Sequence, residues 1–290
     1  MKYLISIILV LSLSLQAFAE LNIKESHERM LYPVVRVNGG GSGSVIFSEQ
    51  PGPIMAKQKQ KVEPFSTYVL TNWHVVAAAI KITKKWDSNQ GKKVDVEKRD
   101  IIHVEQFIYK EMSEPVGTTK VEAEIVLYDE EEDLALVKLS SEEKFPWVVE
   151  FFPPEELPTL PVFSRTTAVG CSLSWPPVPS QGILTRKNVR IDSLPFHMST
   201  AQIIYGNSGG AMFDDEGRFI GVPSRVPALG WGGSDPVVHM GLFIPVERVF
   251  AWLDREHYEF IYNPDISEAE GLQKREEMLK SEKVSNQTSD

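Results

Sequence analysis

Residues 206–213 have the sequence Gly-Asn-Ser-Gly-Gly-Ala-Met-Phe, and the apolar run Phe-Ile-Gly-Val follows at 219–222. Because glycine has no Cβ, the chain around Ser208 can adopt positive φ angles and approach another molecule closely. In that conformation the N–H groups of Gly206 and Ser208 can point at one spot, which predicts an oxyanion hole. A plain glycine-rich turn is the alternative for the first five residues, and the hairpin pattern that follows disfavours it.

A second segment places one histidine after an apolar strand. Tyr68–Leu70 leads into Thr-Asn-Trp at 71–73 and then His74, and the small apolar residues Val75–Ala79 follow. A general base has to be held in fixed geometry by packed neighbours, so this setting suits His74. A structural histidine with satisfied hydrogen bonds is the alternative that this segment alone leaves open.

A third segment places a carboxylate at the start of a strand. Asp133 directly precedes the apolar run Leu134–Leu139 and ends an acidic stretch at 129–132. Burying an unpaired carboxylate is costly, so Asp133 needs a partner. The N–H of an imidazole is suitable, because the carboxylate then holds the ring's tautomer and stabilises its charged form. We therefore predict that Asp133 pairs with His74, with a solvated acidic turn as the alternative.

The rest of the chain predicts an all-β protein. Many short β-rich segments are separated by Gly, Pro and polar residues, and helical periodicity first occurs at Val246–Tyr258, after Pro245. Ser140–Pro161 is rich in Glu and Pro, which indicates a connector between two β halves of similar size.

Composition excludes several classes of protein. The 290 residues carry 40 acidic and 30 basic side chains, a formal charge of -10, which argues against a nucleic-acid partner. The single cysteine, Cys171, can form no internal disulfide and no Cys-rich zinc site. The histidines outside the segment around His74 show no metal-binding spacing, so no metal site is predicted; they are His27, His103, His197, His239 and His257.

The first nineteen residues have the pattern of a secretory signal. Lys2 precedes an apolar run from Leu4 to Leu15, and Ala-Phe-Ala at 17–19 fits the small-x-small cleavage rule. The run is shorter than the roughly 20 residues that span a bilayer. We therefore predict cleavage after Ala19, a periplasmic or secreted protein, and no stable membrane insertion afterwards. An uncleaved anchor is the alternative.

The three segments, in the order His, Asp, Ser, resemble those of trypsin-like serine proteases of the chymotrypsin fold, specifically the HtrA/Deg-like bacterial branch. Gly-Ser-Gly-Ser at 41–44 resembles that branch's first-strand motif, and three further segments resemble strands of its second barrel: Ala168–Gly170, Gln181–Thr185 and Gly241–Pro245. The resemblance implies two six-stranded antiparallel β-barrels with a short C-terminal helix.

The resemblance also implies a division of the chain. The expected segments are a signal peptide at 1–19, a first barrel with His74 and Asp133 at 20–140, a connector at 141–160, a second barrel plus helix with Ser208 at 161–262, and a charged, disordered tail at 263–290. The tail is too short for the PDZ domain that follows the protease in most HtrA proteins, so none is expected. An unusually long, charged insertion lies between His74 and Asp133, at Lys81–Glu124.

The roles implied by the resemblance follow residue by residue. Ser208 is the nucleophile, His74 the general base and acid, and Asp133 the residue that orients His74. The N–H groups of Gly206 and Ser208 form the oxyanion hole, and no metal or organic cofactor is required. Polypeptides are the expected substrates, and the oligomeric state stays open. Asn207 stands where digestive proteases carry an Asp that binds a new N-terminus, so activation of that kind is not expected.

Substrate specificity rests on weaker indications. The residues expected to line the primary pocket are Thr200, Ile204, Tyr205, Val222, Pro223 and Ser224. No Asp occurs at Ser199–Tyr205, which disfavours cleavage after Lys or Arg, and Pro223 replaces the histidine of glutamyl endopeptidases. A neutral, moderately small side chain is therefore preferred before the scissile bond.

Two hypotheses of function follow. The first is a secreted or periplasmic serine endopeptidase that hydrolyses peptide bonds through a Ser-His-Asp triad and an acyl-enzyme. The alternative is a protease-fold binding or chaperone-like protein with an idle active site, which loop changes around the cleft would produce even with the triad present.

Overall fold

The computed structural model describes residues 21–49, 65–88, 91–141, 143–229 and 235–287. The predicted signal peptide at 1–19 and its cleavage site lie outside these described residues. Within them, no helix is long and apolar enough to cross a membrane.

The described secondary structure is dominated by strands. The strands are β1 Val34–Val37, β2 Gly41–Glu49, β3 Ser66–Thr71, β4 Ile80–Asp87, β5 Lys92–Arg99, β6 Ile102–Lys110, β7 Glu114–Asp129, β8 Leu134–Leu139, β9 Glu150–Phe151, β10 Arg165–Gly170, β11 Val178–Ile191, β12 Leu194–Ser199, β13 Ala211–Phe213, β14 Arg218–Arg225, β15 Ala228–Leu229, β16 Asp235–Pro236 and β17 Gly241–Pro245. The α-helices are α1 Ile23–Ser26, α2 Trp73–Val76, α3 Val246–Arg255 and α4 Glu268–Gln287. A π-helical turn at His27–Leu31 and short 3-10 turns at Ala77–Ala79, Pro154–Thr159, Ser172–Ser174 and Glu259–Ile261 complete the described elements.

The first barrel is closed and has the strand order β1-β2-β3-β8-β7-β6. It closes where β6 pairs with β1, in the register Arg36 opposite Glu105. Side chains alternate between the two faces of a strand, so one face of β3 and β8 fills the barrel with Val69 and Val137. The other face places Tyr68 and Leu136 in the core shared with the second barrel. This is why these two strands are almost continuously apolar.

The second barrel has the order β13-β10-β11-β12-β17-β14 and closes through pairing of β13 with β14. The short strand β9 adds to β14 in parallel, outside the six-stranded ring. The helix α3 begins after Pro245 and buries Val249, Trp252 and Leu253 against this barrel. The predicted architecture of two six-stranded antiparallel barrels with a C-terminal helix is therefore confirmed.

In the segment 263–290, where a charged and disordered tail is expected, the structure describes the helix α4 at Glu268–Gln287. Glu268 is only 8% exposed and accepts hydrogen bonds from the hydroxyl of Tyr68 (2.6 Å) and the ammonium of Lys138 (3.1 Å). At Gly271 a Cβ would lie 2.6 Å from the ring of Phe260, so α4 packs closely against the 3-10 turn Glu259–Ile261. Tertiary contacts thus stabilise a helix that its charged sequence does not predict.

The insertion between His74 and Asp133 contains a hairpin outside both barrels. Strands β4 and β5 form a separate two-stranded sheet in continuous antiparallel register, from Ile80 opposite Arg99 to Asp87 opposite Lys92. The remainder of the insertion supplies β6 and most of β7, which belong to the first barrel. The barrel itself is therefore complete without the hairpin.

Candidate active site

The barrel register brings His74 and Asp133 together. Strands β3 and β8 are neighbours, with Thr71 opposite Ala135. His74 lies in α2 just after β3 ends, and Asp133 lies immediately before β8 begins. Because the strands run antiparallel, the end of one and the start of the other meet at the same edge of the barrel. Two residues far apart in the chain therefore become neighbours.

A double contact joins the imidazole of His74 to the carboxylate of Asp133. The Nδ1 atom lies 2.9 Å from Oδ1 and 3.0 Å from Oδ2, and the backbone N–H of His74 also donates to Oδ1 at 3.2 Å. Since the carboxylate is the acceptor, Nδ1 carries the proton and Nε2 of the neutral ring is left as the base. The side chain of His74 is 43% exposed and that of Asp133 is 8% exposed.

Asp133 is held in an uncommon backbone conformation. Its φ is +54°, a left-handed value that Asp tolerates better than most residues. The side-chain amide of Asn72 donates to the carbonyl of Asp133 at 2.8 Å, and Asn72 is fully buried. Asn72 therefore helps fix the loop that presents the carboxylate to His74.

Ser208 lies in the turn between β12 and β13, close to the same site. Its hydroxyl donates a 3.4 Å hydrogen bond to the carbonyl of Ser224. In the described structure no hydrogen bond joins Ser208 Oγ to His74. The structure thus links His74 to Asp133 directly and links Ser208 to the site through Ser224. Rotation about the Cα–Cβ bond of a serine moves Oγ between staggered positions. Hydrogen bonds between a nucleophile and its general base are often long or absent before substrate binds.

The backbone after Tyr205 is fixed from outside the loop. The N–H of Leu173 donates to the carbonyl of Tyr205 at 2.8 Å, and the hydroxyl of Ser42 donates to the carbonyl of Gly206 at 2.6 Å. Gly206 has φ +97°, and a Cβ there would lie 2.4 Å from the carbonyl oxygen of Cys171. Among the described residues, the N–H groups of Gly206 and Ser208 meet no acceptor.

Ser42 has a bridging role that its sequence context does not predict. Its hydroxyl accepts from the N–H of Cys171 at 2.6 Å, its carbonyl accepts from Thr71 Oγ1 at 2.7 Å, and its N–H donates to the carbonyl of Ser208 at 2.9 Å. Ser42 is fully buried in β2 and links the first barrel to the loop that carries Ser208. The only sequence signal was its place between two glycines in the first-strand motif.

Asn207 is neutral and buried, as the loop requires. Its side-chain oxygen accepts from the hydroxyl of Ser172 at 2.8 Å and from the N–H of Ile204 at 3.2 Å. Asn207 is 1% exposed, and these hydrogen bonds satisfy its carbonyl oxygen. An aspartate here would place a buried charge against neutral donors.

Burial also explains why Cys171, beside this loop, is unreactive. Desolvation raises the pKa of the Cys171 thiol to about 12, and its hydrogen bond with Ser42 only partly opposes this. The thiolate is the nucleophilic form of cysteine, so the thiol is inert near neutral pH.

The predicted pocket residues separate into different environments. Val222 and Pro223 are buried, Ile204 is half-buried, and Tyr205 is 70% exposed. Ser224 is buried, and its hydroxyl donates to Asp133 Oδ2 at 2.8 Å. Thr200 accepts from the N–H of Ile183 and lines a cavity of about 800 Å³ between α1 and the second barrel. That cavity contains none of His74, Asp133 and Ser208.

These features define a two-barrel protein with a serine, a histidine and an aspartate at the barrel junction. The family model described as "Trypsin-like peptidase domain" matches residues 52–222, more than half of the chain. The chain therefore belongs to the trypsin-like peptidase family, and the matched residues include all three side chains.

Individual relatives are consistent with this family. The "Serine protease Do-like HtrA" proteins of Lactococcus lactis subsp. lactis (strain IL1403) and subsp. cremoris (strain MG1363) are each 31% identical over 144 residues, which is 46% of this chain and 34% of the relative. The match thus spans about a third of those proteins.

Among solved structures, the HtrA-type protease AlgW with a tripeptide superposes with a TM-score of 0.54 at 19% identity, over 83% of this chain and 64% of that one. An alanine variant of AlgW, also with a tripeptide, superposes with a TM-score of 0.54 at 18% identity, over 82% of this chain and 64% of that one. These structural matches establish the fold.

Proposed function

We propose that this protein is a serine endopeptidase in which Ser208, His74 and Asp133 form the catalytic triad. The observation that carries the proposal is the bidentate contact of His74 Nδ1 with Asp133, at 2.9 and 3.0 Å, beside a glycine-flanked serine. This contact leaves Nε2 of His74 as the basic atom and directs it away from the carboxylate.

In the proposed reaction Ser208 Oγ attacks the carbonyl carbon of a peptide bond, and His74 accepts the hydroxyl proton. Asp133 stabilises the resulting imidazolium without being protonated. The N–H groups of Gly206 and Ser208 stabilise the oxyanion, a contribution of about 2.7–4 kcal/mol per donor. His74 then protonates the leaving amine, and water hydrolyses the acyl-enzyme by the reverse sequence of proton transfers.

The substrates and location complete the proposal. Polypeptides are the proposed substrates, with a neutral, moderately small residue before the scissile bond. A periplasmic or secreted location is supported by the signal-like residues 1–19.

The test is labelling of the active serine. A fluorophosphonate probe should label the folded wild-type protein and fail to label Ser208→Ala, and His74→Ala should react far more slowly. Ser281→Ala, an exposed serine on α4, is the matched control and should label as wild type does. Profiling of a peptide library with the same variants then identifies the residue preferred before the cleaved bond. Failure of the folded wild type to label would overturn the proposal.

One observation favours a second candidate, a protease-fold binding or chaperone-like protein with an idle site. The hydroxyl of Ser208 donates to Ser224 and not to His74 in the described structure. This candidate predicts that Ser208→Ala retains the protein's full activity in a chaperone assay, such as suppression of aggregation of an unfolded protein.

A further inference from the structure

Several hydrogen bonds and ion pairs among the described residues anchor the β4–β5 hairpin at its base. Arg99 donates to the carbonyls of Ile125 and Val126 (2.8 and 3.0 Å) on β7, and Lys98 pairs with Asp100 at 2.8 Å. Glu97 accepts a short hydrogen bond from the hydroxyl of Tyr128. A two-stranded ribbon has little stability by itself, so these contacts at the base hold the hairpin in place.

The strand β4 of the hairpin exposes two large apolar side chains. Trp86 is 67% exposed and Ile82 is 63% exposed. Side chains alternate between the two faces of a strand, and Ile82 and Trp86 are four residues apart on β4. Both therefore lie on one face of the ribbon. Packing among the described residues does not explain an exposed tryptophan near the end of this ribbon.

Lysines surround this tryptophan. Lys93 lies opposite Trp86 on the same face. Lys84 lies on that face too, two residue pairs nearer the base and opposite Asp95, whereas Lys85 lies on the other face opposite Val94. Within the described part of the chain, no hydrogen bond or ion pair engages the ammonium groups of Lys84, Lys85 and Lys93. Of the acidic side chains on the ribbon, Asp95 faces Lys84, Glu97 lies at the anchored base and Asp87 lies opposite Lys92.

The charge of the hairpin is opposite to that of the protein. Residues 80–99 carry seven basic and three acidic side chains, a net charge of +4, in a chain whose total is -10. The hairpin is therefore a local cationic projection on an acidic body, and its partner should be anionic.

We propose that the distal half of the β4–β5 hairpin, which comprises residues 84–87 of β4 and 92–95 of β5, docks on the surface of an anionic lipid bilayer. Tryptophan prefers the headgroup level of a bilayer, and lysines beside it attract anionic headgroups while their apolar stems lie along the surface. Lysines on both faces of a narrow ribbon suit an extended, soft surface. An acidic polypeptide is the less favoured partner, because the ribbon has no concave wall and lysines on its edge strands oppose β-pairing.

Docking would place the candidate active site at the membrane surface. The hairpin begins at Ile80, one short helical segment after His74, so the base of the ribbon lies beside the residues proposed for catalysis. The docking proposal itself does not require that the site is catalytic.

The test is co-sedimentation of the whole chain with vesicles. Binding to phosphatidylcholine vesicles measures the charge-independent affinity, including any from residues 1–19. Binding to mixed phosphatidylglycerol–phosphatidylcholine vesicles measures the additional affinity for anionic lipid. We expect binding to the anionic vesicles that weakens as salt rises. Each lysine beside an anionic surface contributes about fivefold, so the triple variant Lys84→Gln, Lys85→Gln, Lys93→Gln should bind about 100-fold more weakly. Trp86→Ala should lower binding by about tenfold.

Matched controls separate the hairpin from general charge. The triple variant Lys24→Gln, Lys274→Gln, Lys280→Gln removes the same charge from exposed lysines elsewhere, and Trp175→Ala removes a tryptophan of equal exposure (68%). Both should bind as wild type does. All variants should keep the wild-type melting temperature, since the changed side chains pack in neither barrel. Equal binding of wild type and the hairpin triple variant would overturn the proposal. The proposal would also be overturned if the hairpin triple variant lost binding to polyglutamate but bound vesicles as wild type does. That result would show that the hairpin binds an acidic polypeptide.

Discussion

The hydroxyl of Ser224 donates a 2.8 Å hydrogen bond to Oδ2 of Asp133, across the boundary between the two barrels. The same residue's carbonyl accepts from Ser208 Oγ. Ser224 thus contacts two of the three residues proposed for catalysis, and it orients the carboxylate from the side opposite to the backbone N–H of His74.

Ser224→Ala should slow the reaction while leaving the fold intact. The variant removes one of the donors to a buried carboxylate, and hydrogen bonds to charged groups contribute about 1.5–3 kcal/mol. We expect kcat to fall by about 10- to 100-fold with little change in KM, because the contact acts through Asp133 and His74. The rate of fluorophosphonate labelling measures this directly. An unchanged rate would show that the hydrogen bond does not position the carboxylate.

Ser42→Ala and Ser44→Ala form a matched pair in the same strand. Both serines are fully buried, but Ser42 Oγ bridges Gly206 and Cys171, whereas Ser44 Oγ has no partner in the described structure. Removing Ser42 leaves two buried backbone groups unsatisfied and should lower the free energy of unfolding by about 1–3 kcal/mol. Removing Ser44 should be neutral or stabilising.

Urea denaturation and labelling rates of the two variants check this. Ser42→Ala should also label more slowly, since the peptide after Gly206 loses its support. Equal stability of the two variants would contradict the bridging role of Ser42.

Gly206→Ala should abolish most of the activity. The residue has φ +97°, and the new Cβ would lie 2.4 Å from the carbonyl oxygen of Cys171, so the loop must move and the proposed oxyanion donors with it. Loss of one such donor lowers kcat by about 10²–10³-fold. Gly39→Ala is the control, because Gly39 also has positive φ (+76°) but no atom within 4 Å of the new Cβ. It should cost about 1–2 kcal/mol of stability through backbone strain and leave labelling unchanged.

His197 should make stability depend on pH. Burial lowers the pKa of His197, and Glu247 opposes this only partly while Lys187 adds to it. Its Nε2 is buried without a hydrogen-bond partner, and Nδ1 accepts a 3.4 Å hydrogen bond from the N–H of Asn188. The unfolded chain therefore binds a proton at a higher pH than the folded chain. The contribution of neutral His197 to the free energy of unfolding is fully present above the ordinary histidine pKa of about 6.5. It is lost as the pH falls below that pKa.

Melting temperatures between pH 7.5 and pH 5 test this for the wild type and His197→Gln. The decrease on acidification should be smaller in the variant, which has lost the titrating group. Identical decreases would assign the acid sensitivity to other groups.

Much of the fold was predictable because it depends on local patterns. The nearly continuous apolar runs of β3 and β8 predict buried strands, and Pro245 followed by an apolar stripe predicts the helix α3. The helix ends at Arg255, earlier than predicted, because His257 adopts φ +59°. The contacts that hold α4 in place could not be predicted, because Glu268 accepts hydrogen bonds from Tyr68 and Lys138, which lie 200 and 130 positions away in the chain.

The sequence by itself determined which residues are the candidates for catalysis: a glycine-flanked serine, a histidine after an apolar strand and an aspartate before one. These signals are local, since they express the backbone freedom and burial that each side chain needs. Only the tertiary structure decided how the three are supported. Ser224 reaches Asp133 across 91 positions and Ser42 reaches Gly206 across 164, because closure of two barrels brings their edges together. Such hydrogen bonds leave no periodic pattern in the chain, so they become visible only when the barrels are built.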